Sequence, residues 1–211
     1  MKVVVLFRSI TKERRFLGMM KSKAQEMLDH NISCVKNIDI DKVIDIVGIL
    51  QEARDSNKQI FIFGNGGSAS TASHLAADLQ KTALLSNKNR FRAMSLVDNT
   101  EVISAWSNDV SYDYIFAEQI KTFANEGDIV VAISGSGNSN NVVKAVDTSS
   151  KIGCKAIVLT GGTGGKLCKR ECTSVIIDSC DMLTIETLHL MVCHMVISLI
   201  RKDGEPIFKY R

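Results

Sequence analysis

Proline is nearly absent from this sequence: Pro206 is the only one in 211 residues, and it stands near the C-terminal end, so no proline-rich linker divides the chain. One domain is therefore expected over residues 19–211. Residues 1–18 are set apart as a dispensable leader, because MKVVVLFRSITKERRF is a short apolar run followed by charges, and Met19 and Met20 offer alternative starts before the first clear helix. That opening has neither the small-residue cleavage site of an export signal nor the length of a membrane span, so a cytoplasmic location away from the membrane is expected. An excess of one charge sign is also lacking. Lys and Arg number 26 against 23 Asp and Glu, a formal net charge of +3 with the basic residues scattered, which excludes nucleic-acid binding driven by counterion release. Paired C-x-x-C spacing is missing as well. The six cysteines read as reduced thiols, and the isolated Cys168-x-x-x-Cys172 cannot complete a four-ligand metal site.

What is present is apolar residue in quantity, 45% of the chain, enough for one core without disulfides or a structural metal. Residues from about Lys21 to Asn57 read as two helices, with Val43, Val47 and Leu50 at helical spacing in the second. Beyond them five β-rich runs alternate with helical stretches: QIFIF (59–63), FRAMSLV (91–97), DIVVAIS (128–134), CKAIVLT (154–160) and SVIID (174–178). That alternation predicts an α/β fold, a five-stranded parallel sheet with helices on both faces. The last helix, from about Met182 to Arg201, contains LHLMVCHMVISLI, apolar almost all round. It is too short and too interrupted by histidine for a membrane span, so burial at a subunit interface is expected, with a place in the core of a single chain as the alternative.

Ligands of open parallel sheets bind beyond the carboxyl ends of the strands. Two loops there carry chemistry. Gly64-Asn65-Gly66-Gly67-Ser68 follows the first run, and Ser134-Gly135-Ser136-Gly137-Asn138-Ser139 follows the third and opens a helix. The second loop combines the hydroxyls of Ser134, Ser136 and Ser139 with glycines that let backbone approach an anion and with a helix N-terminus, the parts of a monophosphate cradle. Two further matches fail. Gly64-Asn65-Gly66-Gly67-Ser68-Ala69 fits the loose dinucleotide pattern, but the first acidic residue at a strand end, Asp98, is 34 positions beyond Gly64, too far for the ribose-binding acid. Gly161-Gly162-Thr163-Gly164-Gly165-Lys166-Leu167 has Thr160 in place of the first P-loop glycine and Leu167 in place of the magnesium-binding hydroxyl.

Taken in order and spacing, GNGGSASTASHLAADL, SNDVSYDYIFAEQI, GDIVVAISGSGNSNNVVKAV, KAIVLTGGTGGKL and IETLHLMVCH resemble the sugar isomerase (SIS) family, in particular its phosphoheptose isomerase branch, over about residues 20–200. The resemblance implies a three-layer parallel-sheet sandwich, a homotetramer with active sites shared between subunits, and conversion of sedoheptulose 7-phosphate, or a close heptose phosphate, to the aldose phosphate for surface-polysaccharide heptose. The same branch contains a non-catalytic adaptor, which is the alternative. Carried over by position, Asn65, Gly66 and Gly67 match a substrate loop, Asn108 and Asp109 a sugar-contacting pair, and Ser134, Gly135, Ser136 and Ser139 the phosphate loop. His74 and His194 match family zinc ligands. Asp78 and Glu186 stand where the family usually has glutamate and glutamine, completing an expected zinc set of His74, Asp78, Glu186 and His194, with Glu186 also facing substrate and Asp78 and His194 catalytic. Lys81-Thr82 replaces the family's Gly-Arg pair.

Local spacing agrees in part. His74 and Asp78, four apart, share a helix face. Glu186 and His194 are eight apart, about 12 Å of helix rise, and spacing alone would sooner pair Glu186 with His189. His30 and His189 read as ordinary structural histidines.

Overall fold

The computed structural model describes residues 2–209, with side chains from residue 16 onward, and divides into two compact units, 1–37 and 38–211. The first is the helix α1 (Lys2–Lys36). The leader expected over residues 1–18 falls in this helix, except for Met1, which lies outside the described residues. On α1 Phe16, Leu17, Met19, Met20, Met27, Leu28 and Ile32 are all exposed.

The second unit opens with α2 (Ile40–Asp55), whose first turn is capped by Asp39 accepting from the Lys42 N–H at 3.1 Å. Five strands follow, β1 (Gln59–Gly64), β2 (Arg92–Ser95), β3 (Ile129–Ile133), β4 (Lys155–Gly161) and β5 (Thr173–Ile177), all paired in parallel in the order β2-β1-β3-β4-β5. The helices between them are α3 (Gly67–Ala77), α4 (Thr100–Asp109), α5 (Ala117–Phe123) and α6 (Asn140–Ile152), and α7 (Met182–Ile200) ends the sequence of elements.

Alternation along the central strands sorts the helices into two layers. Phe61, Phe63, Val130, Ala132 and Val158 face Ile115, Phe116, Ile120, Val142 and Val146 on the side of α5 and α6. The intervening Val131, Ile157 and Leu159 face Ile46 and Leu50 of α2, Leu75 of α3, and Val192 and Val196 of α7. Each such fully buried side chain contributes about 1.5–3 kcal/mol, so a sheet covered on both faces supplies the driving force its apolar strands imply. Among the described residues α7 alone is long and apolar enough to cross a membrane. In the fold, however, Ile185, Leu188, Val192, Val196, Ile197 and Ile200 are buried, while Met182, Leu183, Met191 and Leu199 remain exposed. The core reading thus accounts for one face of α7 and leaves the other uncovered.

Candidate active site and metal centre

Strand order reverses direction between β1 and β3, and at their carboxyl ends the two chemically marked loops meet. After β3, Ser134 is buried with its Oγ 3.2 Å from the Oγ of Ser139, while the Ser136 Oγ accepts from the Asn138 N–H at 3.2 Å. Ser139 occupies the N-cap position of α6 without making a side-chain cap bond, so its hydroxyl, shared with Ser134, stands at the positive end of the helix where an anion would sit.

The loop that fails as a nucleotide site has a different task. Its backbone supports the serine loop: the Gly161 N–H donates to the Gly135 carbonyl and the Leu167 N–H to the Gly137 carbonyl, both at 3.0 Å, and the Lys166 N–H donates to Asn138 Oδ1 at 3.1 Å. Gly137 has a left-handed φ of +63°, and a Cβ there would strike the Gly164 carbonyl oxygen, so only glycine lets the two loops stack.

After β1, the Asn65 side chain reaches across the crevice to Asn141 of α6 and also accepts from the Tyr112 hydroxyl at 2.9 Å. At Gly67 a Cβ would run into the carboxylate of Glu186. Glu186 of α7 therefore lies over the start of α3. Two helical turns further along both helices, His194 lies against His74 with 3.2 Å between their Nε2 atoms, which shows α3 and α7 running side by side in the same direction. Asp78 Oδ2 completes this group, 3.5 Å from His74 Nε2 and 3.7 Å from His194 Nε2. Asp78 starts a single π-helical turn (Asp78–Thr82), held to the edge strand by Gln80 Nε2 donating to the Ala93 carbonyl at 2.9 Å.

His74, Asp78 and His194 form a group able to hold a metal ion, each offering one ligand atom within 4.8 Å of the others. A tetrahedral ion with bonds of about 2.0–2.1 Å separates its ligand atoms by about 3.3–3.4 Å, close to the spacings these three show, and two nitrogens with one oxygen leave a fourth position open. Glu186 is not brought to this group, because the eight residues separating it from His194 along α7 hold it about 12 Å up the axis. The side chains of His74 and His194 are 46% and 51% exposed against 14% for Asp78, so the centre opens to solvent on its imidazole side.

Other expected residues take separate places. Asn108 and Asp109 end α4, exposed and bonded to each other at 2.7 Å. His189 is fully buried, with Nε2 3.0 Å from the Thr160 carbonyl oxygen, and burial holds its pKa below 6.5, in keeping with a structural role. His30 lies 3.7 Å from the Cys34 thiol, four residues along α1. Cys193, beside His194, has its thiol pushed up to about 12, by burial first and then by the Asp78 carboxylate, so it stays protonated next to the cluster. Sequence reasoning passed over Asn141 and Tyr112. A second asparagine at the start of a helix gave a faint signal for the first, and nothing local marked the second.

The SIS domain family model matches residues 25–161. A protein of Thermoplasma acidophilum named "Probable phosphoheptose isomerase" is 36% identical over 177 residues, covering 84% of this chain and 97% of that protein. The phosphoheptose isomerase of Helicobacter pylori is 36% identical over 156 residues, covering 74% of this chain and 81% of its own. Among solved structures, the phosphoheptose isomerase of Neisseria gonorrhoeae superposes with a TM-score of 0.79 at 24% identity, covering 87% of this chain and 99% of that one, which establishes the common fold. On this evidence of sequence, sheet order and site, the chain belongs to the SIS domain family and is similar there to the phosphoheptose isomerases.

Proposed function

We propose that this protein is a phosphoheptose isomerase, interconverting sedoheptulose 7-phosphate, or a close heptose phosphate, and the corresponding aldose phosphate. The observation that carries this reading is the pairing, in a chain about one third identical to such enzymes, of a serine-lined anion loop with a His-Asp-His group that can exchange protons or hold a metal. Ser134, Ser136 and Ser139 bind the phosphate, and Asn65, Asn108 and Asp109 contact the sugar. Glu186, over the start of α3, contributes a substrate contact rather than a metal ligand.

The reaction moves hydrogen without net oxidation. Asp78 takes a proton from C1 while His194 supplies one to the C2 carbonyl oxygen, giving an enediol, and return of a proton to C2 with loss of the O1 proton yields the aldose. Were zinc bound, His74, Asp78 and His194 would hold it, and it would supply Lewis-acid polarisation of the carbonyl in place of the proton from His194, whose Nε2 it would occupy. The reading extends to a cytoplasmic homotetramer with shared active sites, feeding surface-polysaccharide heptose. In support, His194 shares a face of α7 with the exposed Leu183 and Met191, where a neighbouring copy would meet the proton-transfer group.

The test is incubation with five-, six- and seven-carbon ketose phosphates, products resolved by NMR. Turnover of the seven-carbon substrate is expected to exceed the others at least about tenfold, one methylene-scale contact being worth that much in discrimination. Tight binding of these sugars with no turnover of any of them supports the adaptor alternative instead.

A further inference from the structure

Asn65 has four hydrogen-bonding positions on its amide, two accepting and two donating. Three are occupied within the protein. Its Oδ1 accepts from the Tyr112 hydroxyl and from Asn141 Nδ2, and its Nδ2 donates to Asn141 Oδ1, all at 2.9 Å. A reciprocal pair of asparagine amides is by itself ambiguous, since turning both over restores the same two bonds. Here the ambiguity is broken from outside. The backbone N–H of Val142 can only donate, and it donates to Asn141 Oδ1 at 2.9 Å, which fixes the sense of Asn141 and through it that of Asn65. Asn141 is 2% exposed, so no solvent competes for the arrangement.

We propose that Asn141 and Tyr112 are positioning residues that lock the Asn65 amide so that it offers the ligand one N–H donor and no acceptor, selecting an oxygen acceptor on the phosphorylated sugar. The proposal rests on the phosphosugar reading of this site. Its chemistry follows from the count: with both lone pairs of Oδ1 taken, a ligand hydroxyl cannot donate to Asn65, whereas a carbonyl, hydroxyl or phosphate oxygen can accept from it. Because Asn141 sits in the first turn of α6, two residues after Ser139, the same bonds tie the β1 loop to the anion loop across the crevice.

The test is calorimetric binding of sedoheptulose 7-phosphate and of inorganic phosphate to wild type, Asn65→Ala, Asn141→Ala, Tyr112→Phe and the doubles with Asn65→Ala, with a melting curve for each. Loss of one well-placed hydrogen bond predicts sugar-phosphate affinity about tenfold weaker in Asn65→Ala and in Asn141→Ala, and about threefold weaker in Tyr112→Phe. Inorganic phosphate affinity should stay within about twofold in all of them, and each double should bind no worse than Asn65→Ala alone. Asn141→Asp keeps both accepted bonds and should recover part of the loss. Should Asn141→Ala fail to fold, Tyr112→Phe carries the same cycle from a half-exposed side chain. Additive losses in the doubles, an equal loss of inorganic phosphate binding, or an Asn65→Ala protein that binds like wild type would each overturn the proposal. Absence of turnover with this binding pattern intact would instead overturn only the isomerase reading.

Discussion

The anion loop and the His-Asp-His group are built on opposite plans. The loop is made of consecutive residues, with Ser134, Gly135 and Gly137 buried, and is held by backbone from a second glycine loop, the Gly135 and Gly137 carbonyls being fixed by N–H donors of residues 161 and 167. The metal-competent group draws on two helices 120 residues apart in sequence, exposes both imidazoles, and depends on side chains alone. The first is rigid because its neighbours leave its backbone no alternative. The second is adjustable, as suits groups that exchange protons or ligands during a reaction.

The contrast is most strongly tested by removing chemistry from the adjustable half. Asp78→Asn and His194→Gln should each lower kcat by about 10²–10⁴-fold while leaving inorganic phosphate affinity and the melting temperature near wild type, since a proton-transfer group acts in the transition state. Steady-state kinetics and calorimetry check both. Next in size is damage to the rigid half's support. Gly137→Ala places a side chain at a left-handed φ and against the Gly164 carbonyl, and should cost about 2–4 kcal/mol in chemical denaturation together with loss of phosphate binding.

Smaller is the loss of anion contacts without backbone damage. Ser136→Ala combined with Ser139→Ala should weaken inorganic phosphate binding by about 1.5–3 kcal/mol, with kcat much less affected than KM. The smallest effect lies outside both halves. Burial depresses the pKa of His189 below 6.5, so the unfolded chain binds more protons than the folded one as pH falls beneath that value. The stability this histidine contributes is therefore complete above pH 6.5 and is lost as pH drops through the folded pKa. His189→Gln should flatten the dependence of melting temperature on pH in that acidic window.

The same division explains what could be read from the sequence. The five apolar runs locate the strands to within a few residues, because continuous apolar runs bounded by Gly or Ser turns are local signals, and FRAMSLV overruns β2 at Phe91, Leu96 and Val97, of which Leu96 still donates its N–H to the Ile62 carbonyl. The serine loop was legible for the same reason. His74 and Asp78 could be paired by helical spacing, whereas the approach of His194 depends on how α7 packs along α3, a tertiary fact. Resemblance put Glu186 with the metal ligands, and helix geometry places it two turns away, against Gly67. The glycine loop at 161–165, read only as a failed nucleotide site, is a support whose meaning appears when β4 is laid beside β3.

The central claim is that Asp78 and His194 transfer protons between C1 and C2 of a phosphorylated ketose. Its most direct test is isomerisation of sedoheptulose 7-phosphate in deuterated water, followed by NMR with wild type, Asp78→Asn and His194→Gln. The account predicts an aldose phosphate carrying solvent deuterium at C2, deuterium exchanged into C1 of recovered ketose, and loss of both signals in the two variants. Tight binding by the wild type with neither product nor deuterium at either carbon would contradict it.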